Sequence, residues 1–150
     1  MTDRPRRPRP PAAARRDGPP SAVVDLVPIK PRALAIRVIA RADEAMAAQL
    51  KLPDGMRAVG LITATSDDAL YVALDEGTKA APAEVVYARS FYAGAGYPSG
   101  PLSGEVIGVY AATDPAVVSE ALARCKSCLE NEAWFYAADE RGQLAFFPHV

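Results

Sequence analysis

An α/β domain, a sheet layered with helices, is the fold class that the sequence predicts. Short runs of branched apolar residues alternate with segments of helical composition and period. Proline and glycine mark most of the junctions between them. Half of the 150 residues are hydrophobic, enough for one domain to bury a core of its own.

The elements follow in order. Ala33 to Ala40 is a strand, rich in branched apolar residues and bounded by Pro31. Asp43 to Leu50 has helical composition and ends before Pro53 and the turn pair Asp54-Gly55. Ala58 to Ile62 is a second strand. Thr65-Ser66-Asp67-Asp68 opens a helix that runs to about Ala81 and stops at Pro82. Glu84 to Tyr92 is a third strand, and a Gly/Pro loop from Gly94 to Gly104 leads to a fourth, Glu105 to Ala111. Asp114-Pro115 starts a long helix reaching Asn131, with proline at the first helical position, where its missing N–H is no loss. Val118, Ala121, Leu122, Cys125 and Leu129 recur at helical spacing as its buried stripe. Trp134 to Ala137 and Leu144 to Phe147 form a hairpin around Arg141-Gly142.

Two units are predicted, a tail over 1–23 and a domain over 24–150. The first 21 residues hold six prolines and six arginines against two aspartates, so they cannot bury enough apolar surface to offset ordering entropy. The remaining residues carry 11 basic and 16 acidic side chains. The arginines leave open a purely electrostatic partner. No aromatic residue interleaves them to stack on bases, and the prolines prevent an amphipathic helix, so neither nucleic acid nor membrane is expected as a partner. No apolar run approaches the roughly 20 residues that span a bilayer, and the N-terminus has no apolar signal core. Two cysteines without an export signal suit a reducing cytosol.

Few residue constellations point to chemistry. Gly94-Ala-Gly96-Tyr-Pro-Ser-Gly100 is one residue too long for a dinucleotide fingerprint, and a strand follows it rather than the phosphate-holding helix. A loop of that composition suits a gate as well as a plain connection. Cys125-Lys-Ser-Cys128 has the spacing of a redox pair but lies in the last turns of its helix, away from the end that stabilises a thiolate. Zinc would need two further ligands, and the chain offers only His149. No catalytic residue, metal or cofactor is therefore expected. Asp67 and Asp68 suit capping at the positive end of a helix. Glu105, opening an apolar strand, either faces solvent or lines an opening for a cation.

Longer runs are more specific. Leu61 to Lys79, Glu84 to Ala95 and Gly104-Glu-Val-Ile, with Asp25-Leu-Val-Pro and Leu50-Lys-Leu-Pro, resemble the L-type shell protein of ethanolamine-utilisation bacterial microcompartments. The likeness extends from about Val24 to Val150 and covers only the first of that family's two domains. It implies a circularly permuted microcompartment domain, an α+β sandwich with a mixed or antiparallel sheet covered by helices. It also implies a structural role in the cytoplasmic microcompartment shell, passing or gating small metabolites through pores, with ethanolamine favoured. The expected partners are further copies of the chain, as trimers with a second domain or a hexamer-like ring without one, and other shell proteins. Carried over residue by residue, the solute site would use Asp67, Glu105 and the aromatic wall of Phe135. Two other readings stay open: a stand-alone small-molecule-binding regulatory domain, and a thiol redox enzyme built on Cys125 and Cys128.

Overall fold

The computed structural model describes residues 26–91, 106–137 and 145–146. Along them run β1 (Val27–Ile29), β2 (Ala33–Ile39), α1 (Glu44–Leu50), β3 (Ala58–Ala64), α2 (Asp67–Ala80), β4 (Glu84–Ser90), β5 (Val106–Ala112), α3 (Pro115–Asn131), β6 (Phe135–Ala137) and β7 (Ala145–Phe146). Every element expected from sequence is present, within a few residues at its ends. The tail, the Gly/Pro loop, Glu105, the hairpin turn at Arg141-Gly142 and His149 lie outside the described residues.

Four strands form one antiparallel sheet in the order β2-β3-β5-β4. A second, smaller sheet orders β1-β6-β7, so the layer carries a separate ribbon that the sequence pattern did not indicate. The hairpin of β6 and β7 was expected. Its outer partner β1, three residues around Pro28, was not.

The helices divide between the faces of the main sheet. On one face α2 and α3 pack over Ala58, Ile62, Ala64, Val106, Tyr110 and Ala112. Ile62, Leu70, Val118 and Leu129 are fully buried there, each contributing about 1.5–3 kcal/mol. The α3 stripe is as expected and gains Cys128. On the opposite face Val59 and Val109, with Ala42 and the half-buried Ile39, Leu50 and Leu52, make a smaller core beside α1.

The helix ends follow local chemistry. Asp43 caps α1 by accepting from the Met46 N–H at 2.7 Å. Lys51 closes that helix in the left-handed region, at φ 52°. Asp114 caps α3, accepting from the Ala116 N–H at 2.7 Å, with Pro115 next to it. Helix α3 crosses the strands closely because Gly60 offers no side chain. A Cβ there would lie 2.8 Å from Leu122 Cδ1.

Candidate functional site

Strand β3 ends at Ala64 and delivers Thr65, Ser66 and Asp67 to the head of α2. Two hydrogen bonds fix this turn. The Arg32 N–H donates to Thr65 Oγ1 at 3.0 Å, and the Thr65 N–H donates to the Arg32 carbonyl at 3.1 Å. The clamp joins residues 33 apart and ties the entrance of β2 to the exit of β3. Sequence reasoning missed Thr65 in this role, since nothing local distinguishes it from a capping residue.

Capping at this helix differs from the expectation. Ser66 occupies the N-cap position without a side-chain hydrogen bond. Asp67 Oδ1 instead accepts from the neighbouring Asp68 N–H at 2.9 Å. Both carboxylates lie in the first turn, where the helix dipole favours them. Asp67 is half-buried and Asp68 exposed.

Of the three residues singled out, Asp67 stands at the head of α2 and Phe135 in the small sheet, while Glu105 is not among the described residues. Val106, which follows Glu105 in the chain, pairs with Ala64, which lies three residues before Asp67. Phe135 is half-buried, packs on the main core and pairs with Ile29 of β1. Ile29 precedes the clamping Arg32 by three residues, roughly 10 Å of extended chain. Glu130 and Trp134 hold this junction from α3. The Ala33 N–H donates to Glu130 Oε1 at 3.2 Å, and Trp134 Nε1 donates to the Glu130 carbonyl at 2.9 Å. Lys30 places its ammonium 3.9 Å from the centre of the Trp134 ring.

The cysteines present the opposite of a reactive pair. Cys125 and Cys128 are both buried and unbridged. Burial pushes the Cys125 thiol up to about 12, and burial also raises that of Cys128. A nucleophilic thiolate requires a shift the other way. Among the described residues no group of three or more His, Cys, Asp or Glu is arranged to hold a metal ion. No described helix is long and apolar enough to cross a membrane.

The comparisons with known proteins agree with this architecture. No protein-family model matches the chain. Over 122 residues it is 45% identical to the bacterial microcompartment shell protein EutL of Salmonella typhimurium LT2, covering 81% of this chain and 56% of the relative. EutL of Escherichia coli K12 is 44% identical over the same length and shares. Among solved structures, the ethanolamine utilization protein EutL of Leptotrichia buccalis matches with a TM-score of 0.76 at 42% identity, over 81% of this chain and 56% of that one. The chain thus spans a little more than half the length of the relatives it matches. In sequence and in fold, over that length, it is homologous to the EutL-type bacterial microcompartment shell proteins.

Proposed function

We propose that this chain is a structural tile of a bacterial microcompartment shell inside the cytoplasm. It associates with further copies of itself and with other shell proteins into a porous sheet that passes or gates a small solute. The observation that carries this reading is the 45% identity to a shell protein across four-fifths of the chain, joined to a common fold. The role is structural rather than catalytic, and the buried, unreactive thiols are consistent with it.

Ethanolamine is the favoured solute, since the Leptotrichia relative is an ethanolamine utilization protein. Asp67 and Glu105 are proposed to accept its ammonium, with Phe135 as an aromatic wall. Support comes from the pairing of Ala64 with Val106, which brings the chain segments leading to both carboxylates to one end of the β3–β5 pair. Two nearby carboxylates repel, and a bound cation relieves that repulsion. Because such a site is open to water, each contact is worth on the order of 1 kcal/mol and affinity is about millimolar. The domain bearing the site is proposed to be residues 24–150, with 1–23 a dispensable basic tail.

Electron microscopy of concentrated protein tests the tile, and the expected result is sheets or closed rings. Ethanolamine titration followed by NMR tests the site, with Asp67→Asn and Glu105→Gln each expected to weaken binding. Binding unchanged in both variants would overturn the site while leaving the tile standing. Ethanolamine binding by a chain that never assembles would favour the stand-alone regulatory domain.

A further inference from the structure

The arginine-rich segment joins the domain beside the proposed solute site. Residues 1–21 hold Arg4, Arg6, Arg7, Arg9, Arg15 and Arg16 against Asp3 and Asp17, while the rest of the chain carries 11 basic and 16 acidic side chains. The segment enters the described domain at Leu26, one residue before β1. Strand β1 pairs with β6, where Ile29 stands opposite Phe135. Arg32 follows a few residues later, its N–H clamped to Thr65 Oγ1 just ahead of Asp67. Extended chain over those steps puts Asp67 no more than about 35 Å from Leu26. Arg4 to Arg9 precede Leu26 by 22 to 17 residues. At the roughly 3.1 Å per residue of a proline-rich chain, they reach about 50 Å or more.

Charge selects where such a segment lands. Among the described residues, acidic side chains stand side by side at Asp43-Glu44, Asp67-Asp68 and Asp75-Glu76. The last pair is engaged by Lys79 and Arg124. The first has the Arg57 guanidinium 3.3 Å from the Asp43 carbonyl. No described cation pairs with Asp67 or Asp68, at the head of α2.

We infer that the arginine arm over 1–21 is a tethered competitor for the solute site, its guanidinium groups exchanging with the solute's ammonium at Asp67 and Asp68. The inference rests on the reading of that place as the solute site. A guanidinium meets a carboxylate through two parallel N–H bonds, and it stays charged at every working pH. Each exposed contact is weak, but the tether holds the arm at an effective concentration of about millimolar. That matches the roughly millimolar affinity proposed for the solute, so arm and solute displace one another as solute rises. The arm is dispensable for folding and tiling, and acts on the occupancy of the site.

The test uses the full chain at about 0.15 M salt, where a Debye length near 8 Å removes most long-range attraction. Replacing all six arginines by glutamine, Arg4→Gln through Arg16→Gln, should tighten the ethanolamine dissociation constant about threefold or more. A nitroxide on Ala13→Cys, with the native cysteines buried, should broaden the Asp67 and Asp68 amide signals in the absence of ethanolamine. Saturating ethanolamine should restore those signals, and so should the six glutamines. Equal ethanolamine affinity with and without the arginines, or broadening confined to other parts of the domain, would overturn the inference and leave the solute site standing. Ethanolamine bound by neither chain would overturn the inference and the site together.

Discussion

The phenol oxygen of Tyr110 occupies the space that a side chain on Gly77 would need. Tyr110 reaches from β5 to α2 and donates to the Leu74 carbonyl at 2.7 Å in the buried core. A Cβ on Gly77 would meet that hydroxyl and would also stand 2.8 Å from the Ala121 carbonyl of α3. Helices α2 and α3 therefore approach as closely as they do because position 77 is bare. Gly77→Ala should destabilise the fold by about 1–3 kcal/mol through overpacking, despite alanine's better helix propensity. Tyr110→Phe should cost about 1 kcal/mol for the lost hydrogen bond. In the double variant the penalties should be less than additive, because the hydroxyl that clashes is gone, although the Ala121 carbonyl remains. Urea unfolding of all four proteins measures the coupling, and strict additivity would show that the two residues do not share this space.

The Cys125 thiol should be inert in the native state. Its pKa is raised by burial, so folding favours the neutral thiol. That contribution is complete below the unfolded thiol value of about 8.5 and declines as pH rises towards about 12. The stability advantage of the wild type over Cys125→Ala should therefore shrink in alkaline solution. Thiol titration with an aromatic disulfide should be slow until denaturant is added. Cys125→Ser should cost about 1–3 kcal/mol by burying a hydroxyl in an apolar stripe. Rapid labelling of native protein would contradict the buried placement.

Helices α2 and α3 are also joined by charge. Arg124 bridges Glu76, at 2.7 Å, and Glu132, while Lys79 adds contacts to Asp75 and Glu76. Hydrogen bonds from Lys79 and then Arg124 hold the Glu76 carboxyl below its usual range. A depressed carboxyl stabilises the fold above its unfolded value of about 4.3 and loses that effect as pH falls through the folded value. Glu76→Gln should lower the melting temperature slightly at neutral pH, less so in high salt, and not at all once the carboxyl is protonated. A deficit that persists unchanged in acid would assign Glu76 a packing role instead.

Asp114 supplies a cleaner local test. Its side chain accepts from the Ala116 N–H at the start of a 17-residue helix. Asp114→Ala should cost about 1 kcal/mol, and Asp114→Asn should recover most of it because the acceptor is retained. Equal losses in both variants would mean that charge, rather than the hydrogen bond, sustains the cap.

How much of this architecture can be read without coordinates differs from element to element. The stripe Val118, Ala121, Leu122, Cys125 and Leu129 and the cap at Asp114 were legible, because both arise from neighbours within one helix. The strands Ala33–Ile39 and Ala58–Ala64 were equally legible from branched residues between turn signals. For the candidate site, sequence supplied the identities Asp67, Glu105 and Phe135. It did not supply the Arg32–Thr65 clamp, which joins positions 33 apart, or the pairing of Ala64 with Val106 that relates the segments leading to the two carboxylates. Strand β1 was invisible for the same reason: three residues have no measurable period, and Val27 has its pairing partner at Ala137, at the far end of the domain. Periodicity reports which side of an element is buried, because that is a property of its own residues. Which element covers that side depends on hydrogen bonds and packing between distant segments, so the order β2-β3-β5-β4 was decided by the tertiary structure alone.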